Sequence, residues 1–125
     1  MKKILLAEDD EAQALVCQKE LESEGYTVLL AGDGQTALDL LAKQKINLVI
    51  LDIRMPQMDG IEALGKILSG KPGIPVIFYT AFDSYRESFL TWGADAYVLK
   101  SPDMSELKKK IREILEDTKL HSKIA

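Results

Sequence analysis

Two apolar runs in this 125-residue chain end abruptly in carboxylates: ILLA is followed by Glu8, Asp9 and Asp10, and LVIL by Asp52. Two more runs end in a hydroxyl, Thr80, and an ammonium, Lys100. Each residue alone has an ordinary reading. Acids after a strand are favourable charges at a helix N-terminus, a threonine there is a turn or cap residue, and a lysine is a surface cation whose stem covers apolar surface. Asp52 resists that reading, because the four apolar residues before it predict burial. Burial and neighbouring acids both raise a carboxyl pKa unless a cation sits among them. As a set, clustered carboxylates suit a hard divalent cation such as Mg²⁺, which takes one or two carboxylates, water and phosphate oxygens. A carboxylate beside such a cation can attack a phosphoryl group and form an aspartyl-phosphate. The charge on the transferring oxygens then needs neutralising, which metal, ammonium and hydroxyl would supply.

These residues share a site only if the fold brings the ends of their runs together. Short apolar runs at 4–7, 27–31, 47–51, 75–79 and 96–99 read as strands, and helix-period segments lie between them. Ala14, Cys17 and Leu21 mark a first helix that closes at Gly25, and Asp33 caps a second carrying Ala37, Leu38 and Leu41. The GDG around Asp33 needs no reading beyond turn and cap. Ile61, Leu64 and Leu68 mark the third helix. Tyr85, Phe89 and Trp92 mark a fourth that ends at Gly93. The last carries Met104, Leu107, Ile111, Ile114 and Leu115, with Ser101 or Asp103 near its cap. Strands buried on both faces and alternating with helices imply a parallel sheet covered on each side, a doubly wound α/β domain. Such sheets bind ligands outside the carboxyl ends of their strands, where Glu8, Asp9, Asp52, Thr80 and Lys100 all fall.

Composition sets outer bounds. With 46% apolar and 29% charged residues the chain reads as a soluble globular protein, and its net charge of −4 argues against gripping nucleic acid along its length. One cysteine, Cys17, and one histidine, His121, leave no internal disulfide, no histidine-rich metal site and no Ser-His-Asp triad. The start MKKILLAEDDE has acids where a signal peptide has its cleavage site, and no apolar run approaches the ~20 residues that span a bilayer. A cytoplasmic protein without membrane contact is expected.

From end to end the sequence resembles the receiver domain of two-component response regulators. ILLAEDDE resembles that family's acidic pocket, LVILDIRMPQMDG its phosphorylation-site segment, YTA its switch hydroxyl, and GADAYVLK its aromatic and lysine segment. The resemblance implies a flavodoxin-like (βα)5 fold of strand order 2-1-3-4-5, with the receiver over 1–118 and a tail or linker over 119–125. It implies Asp52 as phosphoacceptor and Mg²⁺ as cofactor, with Mn²⁺ a possible substitute. Asp9 would bind the metal directly, Glu8 mainly through a coordinated water, and Arg54 through its backbone carbonyl. Thr80 and Lys100 would each bind a phosphoryl oxygen, while Asp10 caps the first helix. Thr80 would move toward the phosphoryl group and Tyr97 rotate inward behind it, repacking the face of the fourth helix, fifth strand and last helix. On that face Trp92 is the residue expected to meet a partner, while the KKKIR run on the last helix reads as a solvated face. Arg54 and Phe82, two residues beyond Asp52 and Thr80, would tune access of water. Pro56 and Gly60 read as loop devices.

By the same resemblance the chain is a signalling protein and not an enzyme. Its phosphoryl donor would be a histidine kinase or histidine phosphotransfer protein, and its output a downstream effector or fused domain, with a possible dimer through the same face. One departure stands out: the family's lysine is usually followed directly by proline across a cis peptide, and here Ser101 intervenes. A cis Lys100–Ser101 bond would cost roughly 3 kcal/mol; a trans bond could turn Lys100 away from the site. Two alternatives remain. A degenerate receiver would only mediate protein contacts. An aspartate-nucleophile phosphatase would want a second aspartate two residues after the first, where this chain has Arg54.

Overall fold

Runs such as LVIL have no polar alternation because both sides of their sheet are covered, so every side chain of β3 (Leu48–Leu51) is buried. In the computed structural model, which describes residues 1–86, 88 and 92–116, five strands form one parallel sheet of order β2-β1-β3-β4-β5. The others are β1 (Lys3–Ala7), β2 (Thr27–Ala31), β4 (Val76–Thr80) and β5 (Ala96–Leu99). The expected strands are all present, with boundaries shifted by at most one residue. The described helices are α1 (Glu11–Ser23), α2 (Gly34–Lys43), α3 (Gly60–Gly70) and α4 (Ser105–Glu116). The expected fourth helix falls partly on residues 87 and 89–91, Phe89 included, which lie outside the described residues. So do residues 117–125, with His121 and the expected domain boundary.

Alternation along each strand divides the core between two layers. Leu5, Val49, Leu51 and Phe78 face one side, where α2 contributes Ala37 and Leu41 and α3 contributes Ala63, Leu64 and Ile67. Ile4, Leu6, Ile50 and Ile77 face the other, against Cys17 and Leu21 of α1 and Leu107, Ile111 and Leu115 of α4. Burying one such Leu or Ile contributes roughly 1.5–3 kcal/mol, so these rows fix which face each strand shows to which helix.

Helix ends follow the local chemistry. Asp10, Asp33 and Asp59 each stand at an N-cap and accept a backbone N–H, from Gln13, Thr36 and Glu62 respectively. Asp103 accepts the Ser105 N–H at 2.9 Å before α4, and Ser101 accepts that of Asp103. Gly25 adopts φ +98° after α1, which glycine does without strain. Trp92 is half-buried, packed edge-on against Phe78 with ring centroids 6.4 Å apart, a favoured arrangement of aromatic rings. Two side chains of the KKKIR run reach another helix. Lys108 pairs with Glu20 at 2.8 Å and Arg112 with Glu24 at 3.5 Å, fastening α4 to α1.

Candidate functional site

The sheet ladder runs one residue beyond the strands at the carboxyl edge. Glu8 donates its N–H to Ala31 at the end of β2, Asp52 to Ala7 at the end of β1, and Lys100 to Thr80 at the end of β4. Glu8, Asp52 and Lys100 are the residues just after β1, β3 and β5; the register sets Glu8 level with Asp52, while Lys100 stands farther out and reaches back with its long side chain. Among the described residues the buried polar ones are Glu8 (7% exposed), Asp52 (7%) and Thr80 (0%), and all three stand at this edge. Buried charge is costly unless paired. Here the cation among the acids is Lys100.

The Lys100 ammonium donates to Asp52 Oδ2 at 2.8 Å, to Glu8 Oε1, and to the Gln13 side-chain carbonyl at 2.8 Å. All three of its protons are thereby placed. No cis peptide bond occurs among the described residues, so Lys100 enters the cleft from a trans Lys100–Ser101 bond. Burial opposes the charged form of Lys100, yet its hydrogen bonds to Asp52 and Glu8 prevail and raise its pKa. Burial raises the Glu8 carboxyl in spite of the lysine, with Asp52 adding a smaller push in the same direction.

Asp9 is exposed at the rim, and ligand oxygens of Glu8, Asp9 and Asp52 lie within 4.8 Å of one another. An all-oxygen donor set of this compactness fits a hard divalent cation. Arg54 donates its N–H to Asp52 Oδ1 at 3.3 Å. Its guanidinium turns outward over the Phe82 ring, 4.5 Å from the centroid. The cleft, about 720 Å³, continues past Phe82 and Lys100 along α1 to Val16 and Cys17.

Behind the acids, Phe82 ties two other expected residues together. Its N–H donates to the Thr80 hydroxyl at 3.3 Å, and its carbonyl accepts from the Tyr97 hydroxyl. Tyr97 is buried, with its ring 6.2 Å from that of Phe78.

The loop from Asp52 to α3 shows why its residues are needed. A Cβ on Gly60 would lie 2.3 Å from the Asp52 carbonyl oxygen, so this glycine answers to lack of room and not to a turn. Beside it Gln57 holds φ +68°, and Met58 donates to Pro56 at 2.7 Å, a tight turn of a strained kind. Sequence reasoning missed Gln13. Its place three residues after the Asp10 cap signals a capping partner, and nothing local signals contact with Lys100, 87 residues away.

A parallel sheet of order 2-1-3-4-5, with an acidic, lysine-bearing cleft at its carboxyl edge, defines a doubly wound α/β domain with a site suited to a divalent cation and an anionic group. The chain belongs to the response regulator receiver domain family, whose sequence model matches residues 4–112. It is similar to the response regulator MprA of Mycolicibacterium vanbaalenii, 37% identical over 118 residues that cover 93% of this chain and 51% of the relative. The chain thus spans about half the length of the curated relatives it matches. It is also similar to the response regulator TrrA of Thermotoga maritima, solved in complex with Mg²⁺-BeF, at 38% identity and TM-score 0.88, covering 92% of this chain and all of that one. A structure of histidine kinase ThkA in complex with TrrA matches at TM-score 0.86 and 38% identity, over 92% of this chain and 99% of that one.

Proposed function

We propose that this domain is a phosphorylation-activated signalling switch that accepts a phosphoryl group on Asp52 from a histidine kinase or histidine phosphotransfer protein. The observation that carries the reading is that Glu8, Asp52 and Thr80, the buried polar residues among those described, converge at one sheet edge with Lys100 between two of them. A carboxylate oxygen of Asp52 attacks phosphorus while the bond to the donor nitrogen breaks, leaving that electron pair on the imidazole. Lys100, already 2.8 Å from Asp52, neutralises one phosphoryl oxygen, and the Thr80 hydroxyl takes another. Glu8, Asp9, Asp52 and the Arg54 carbonyl would hold Mg²⁺, or Mn²⁺ in its place. Bound there, the ion supplies charge neutralisation for the phosphoryl oxygens. Arg54 and Phe82, stacked at the mouth, limit water's access to the product.

As the Thr80 hydroxyl turns to the phosphoryl group it gives up the Phe82 N–H, and Tyr97 feels the change through the Phe82 carbonyl. That linkage carries the signal to the face of the expected fourth helix, β5 and the last helix, α4, where an effector, an output domain or a second copy is expected to bind. The domain itself is not expected to bind nucleic acid. No described helix is long and apolar enough to cross a membrane, and a cytoplasmic signalling protein rather than an enzyme remains our reading.

The test is intact mass after incubation with acetyl phosphate and Mg²⁺. One phosphoryl adduct on the wild type, absent from Asp52→Asn, is the expected result. An adduct that persists in Asp52→Asn would sink the assignment.

A further inference from the structure

The side chain of Gln13 sits where a capping box places its closing residue, three positions after the Asp10 cap. In that box the side-chain carbonyl takes the N–H of the cap residue. Here the Asp10 N–H is already taken, by Glu8 Oε2 at 3.1 Å. The Gln13 amide instead donates to Asp10 Oδ2 at 3.3 Å, which fixes its orientation. Its carbonyl is left to point across the cleft and accept from Lys100 at 2.8 Å.

The other two acceptors of Lys100 are Asp52 and Glu8, which belong to the acidic trio suited to a cation. Resting on the proposed function, we infer that Gln13 is a positioning residue that keeps the Lys100 ammonium at the mouth of the cleft when those carboxylates serve a metal or a phosphoryl group. An amide carbonyl suits the task. It is neutral, so it neither repels an incoming phosphoryl group nor deepens the charge of the acidic trio, yet it bonds a cation more strongly than it would a neutral donor. Anchored to the cap of a 13-residue helix, it does not follow the carboxylates when they change partners. The bond counts for more once it is the ammonium's only protein partner, so its loss weakens cation binding and slows phosphoryl uptake together.

The experiment is a double-mutant cycle on Mg²⁺ affinity, measured by calorimetry, with wild type, Gln13→Met, Lys100→Met and the double variant. Gln13→Met is expected to weaken Mg²⁺ binding about five- to tenfold and to slow uptake from acetyl phosphate at saturating Mg²⁺ by a similar factor. In the Lys100→Met background the same substitution is expected to leave Mg²⁺ affinity unchanged. If Lys100→Met does not fold, exchange broadening of the Lys100 ammonium resonance in the Mg²⁺-loaded protein replaces it, sharp in wild type and broad in Gln13→Met. An equal loss of affinity with and without Lys100, or an unchanged affinity and a sharp resonance in Gln13→Met, overturns the inference. A wild type that takes up no phosphoryl group overturns the functional reading alone, since the Mg²⁺ cycle still reads the Gln13–Lys100 bond.

Discussion

The guanidinium of Arg54 lies 4.5 Å from the ring centroid of Phe82, so the segments that follow β3 and β4 meet across the mouth of the cleft. Phe82 is 39% exposed, and an exposed contact of this kind contributes about 0.5–1 kcal/mol. Arg54→Ala and Phe82→Ala are each expected to shorten the life of the Asp52 phosphoryl adduct, by about two- to fivefold. The double variant should match either single one, because the two side chains act as a unit. Decay of the adduct followed by mass spectrometry decides this; independent, multiplying effects would refute the pairing.

Tyr97 and Thr80 are linked through the backbone of Phe82, which lets the switch be tested separately from the chemistry. Tyr97→Phe removes one donor to the Phe82 carbonyl, at a cost of about 1 kcal/mol. Amide exchange at Phe82 should quicken, and phosphorylation-dependent binding to a partner should fall while uptake on Asp52 stays near that of wild type. Should Tyr97→Ala leave that binding unchanged, Tyr97 has no switch role.

Gly60 and Gly65 both lie on α3, and alanine should act on them in opposite directions. At Gly60 the new Cβ meets Asp52 and Ile53 backbone atoms between 2.3 and 3.0 Å away, which cannot move aside cheaply. A loss of about 3 kcal/mol in urea unfolding is expected, together with a displaced Asp52. Gly65 is exposed, with nothing within 4 Å of its Cβ, so Gly65→Ala should stabilise by roughly 0.5–1 kcal/mol.

Burial pushes the Cys17 thiol from 9.0 up to about 12, with the charge of Glu8 adding to the effect. Between those values the folded chain keeps a proton that the unfolded chain has lost. The unfolded state binds fewer protons, so stability falls as pH rises through that window, by up to about 1.4 kcal/mol per pH unit. Urea unfolding at about pH 8 and about pH 10.5 should show this fall, and Cys17→Ala should flatten it. Tyr26, also raised to about 12 by its burial and then by Glu116, contributes in both proteins. An identical slope in Cys17→Ala would refute the Cys17 assignment.

Much of the architecture was legible because its causes are local. Runs such as ILLA and LVIL are short, unbroken and flanked by polar residues, which suits a doubly covered strand, and Asp10 and Asp33 announce caps by their type and place. Asp52 was legible as a site candidate because an acid after four apolar residues conflicts with its surroundings. The packing of Trp92 on Phe78 was not legible, because Phe78 belongs to another element. The ion pairs of the KKKIR run were missed for the same reason, since Glu20 and Glu24 belong to α1.

By itself, then, the sequence determined the alternation of strands and helices, the polar residues that end the strands, and the family those motifs resemble. These are properties of neighbours along the chain, set by hydrophobic period and backbone preference. Only the tertiary structure decided which acceptors satisfy each proton of Lys100, why residue 60 has no room for a side chain, and that Gln13 faces the cleft. Those outcomes depend on strand order and on how far each helix slides along the sheet, and dense packing fixes such distances only when every element is in place.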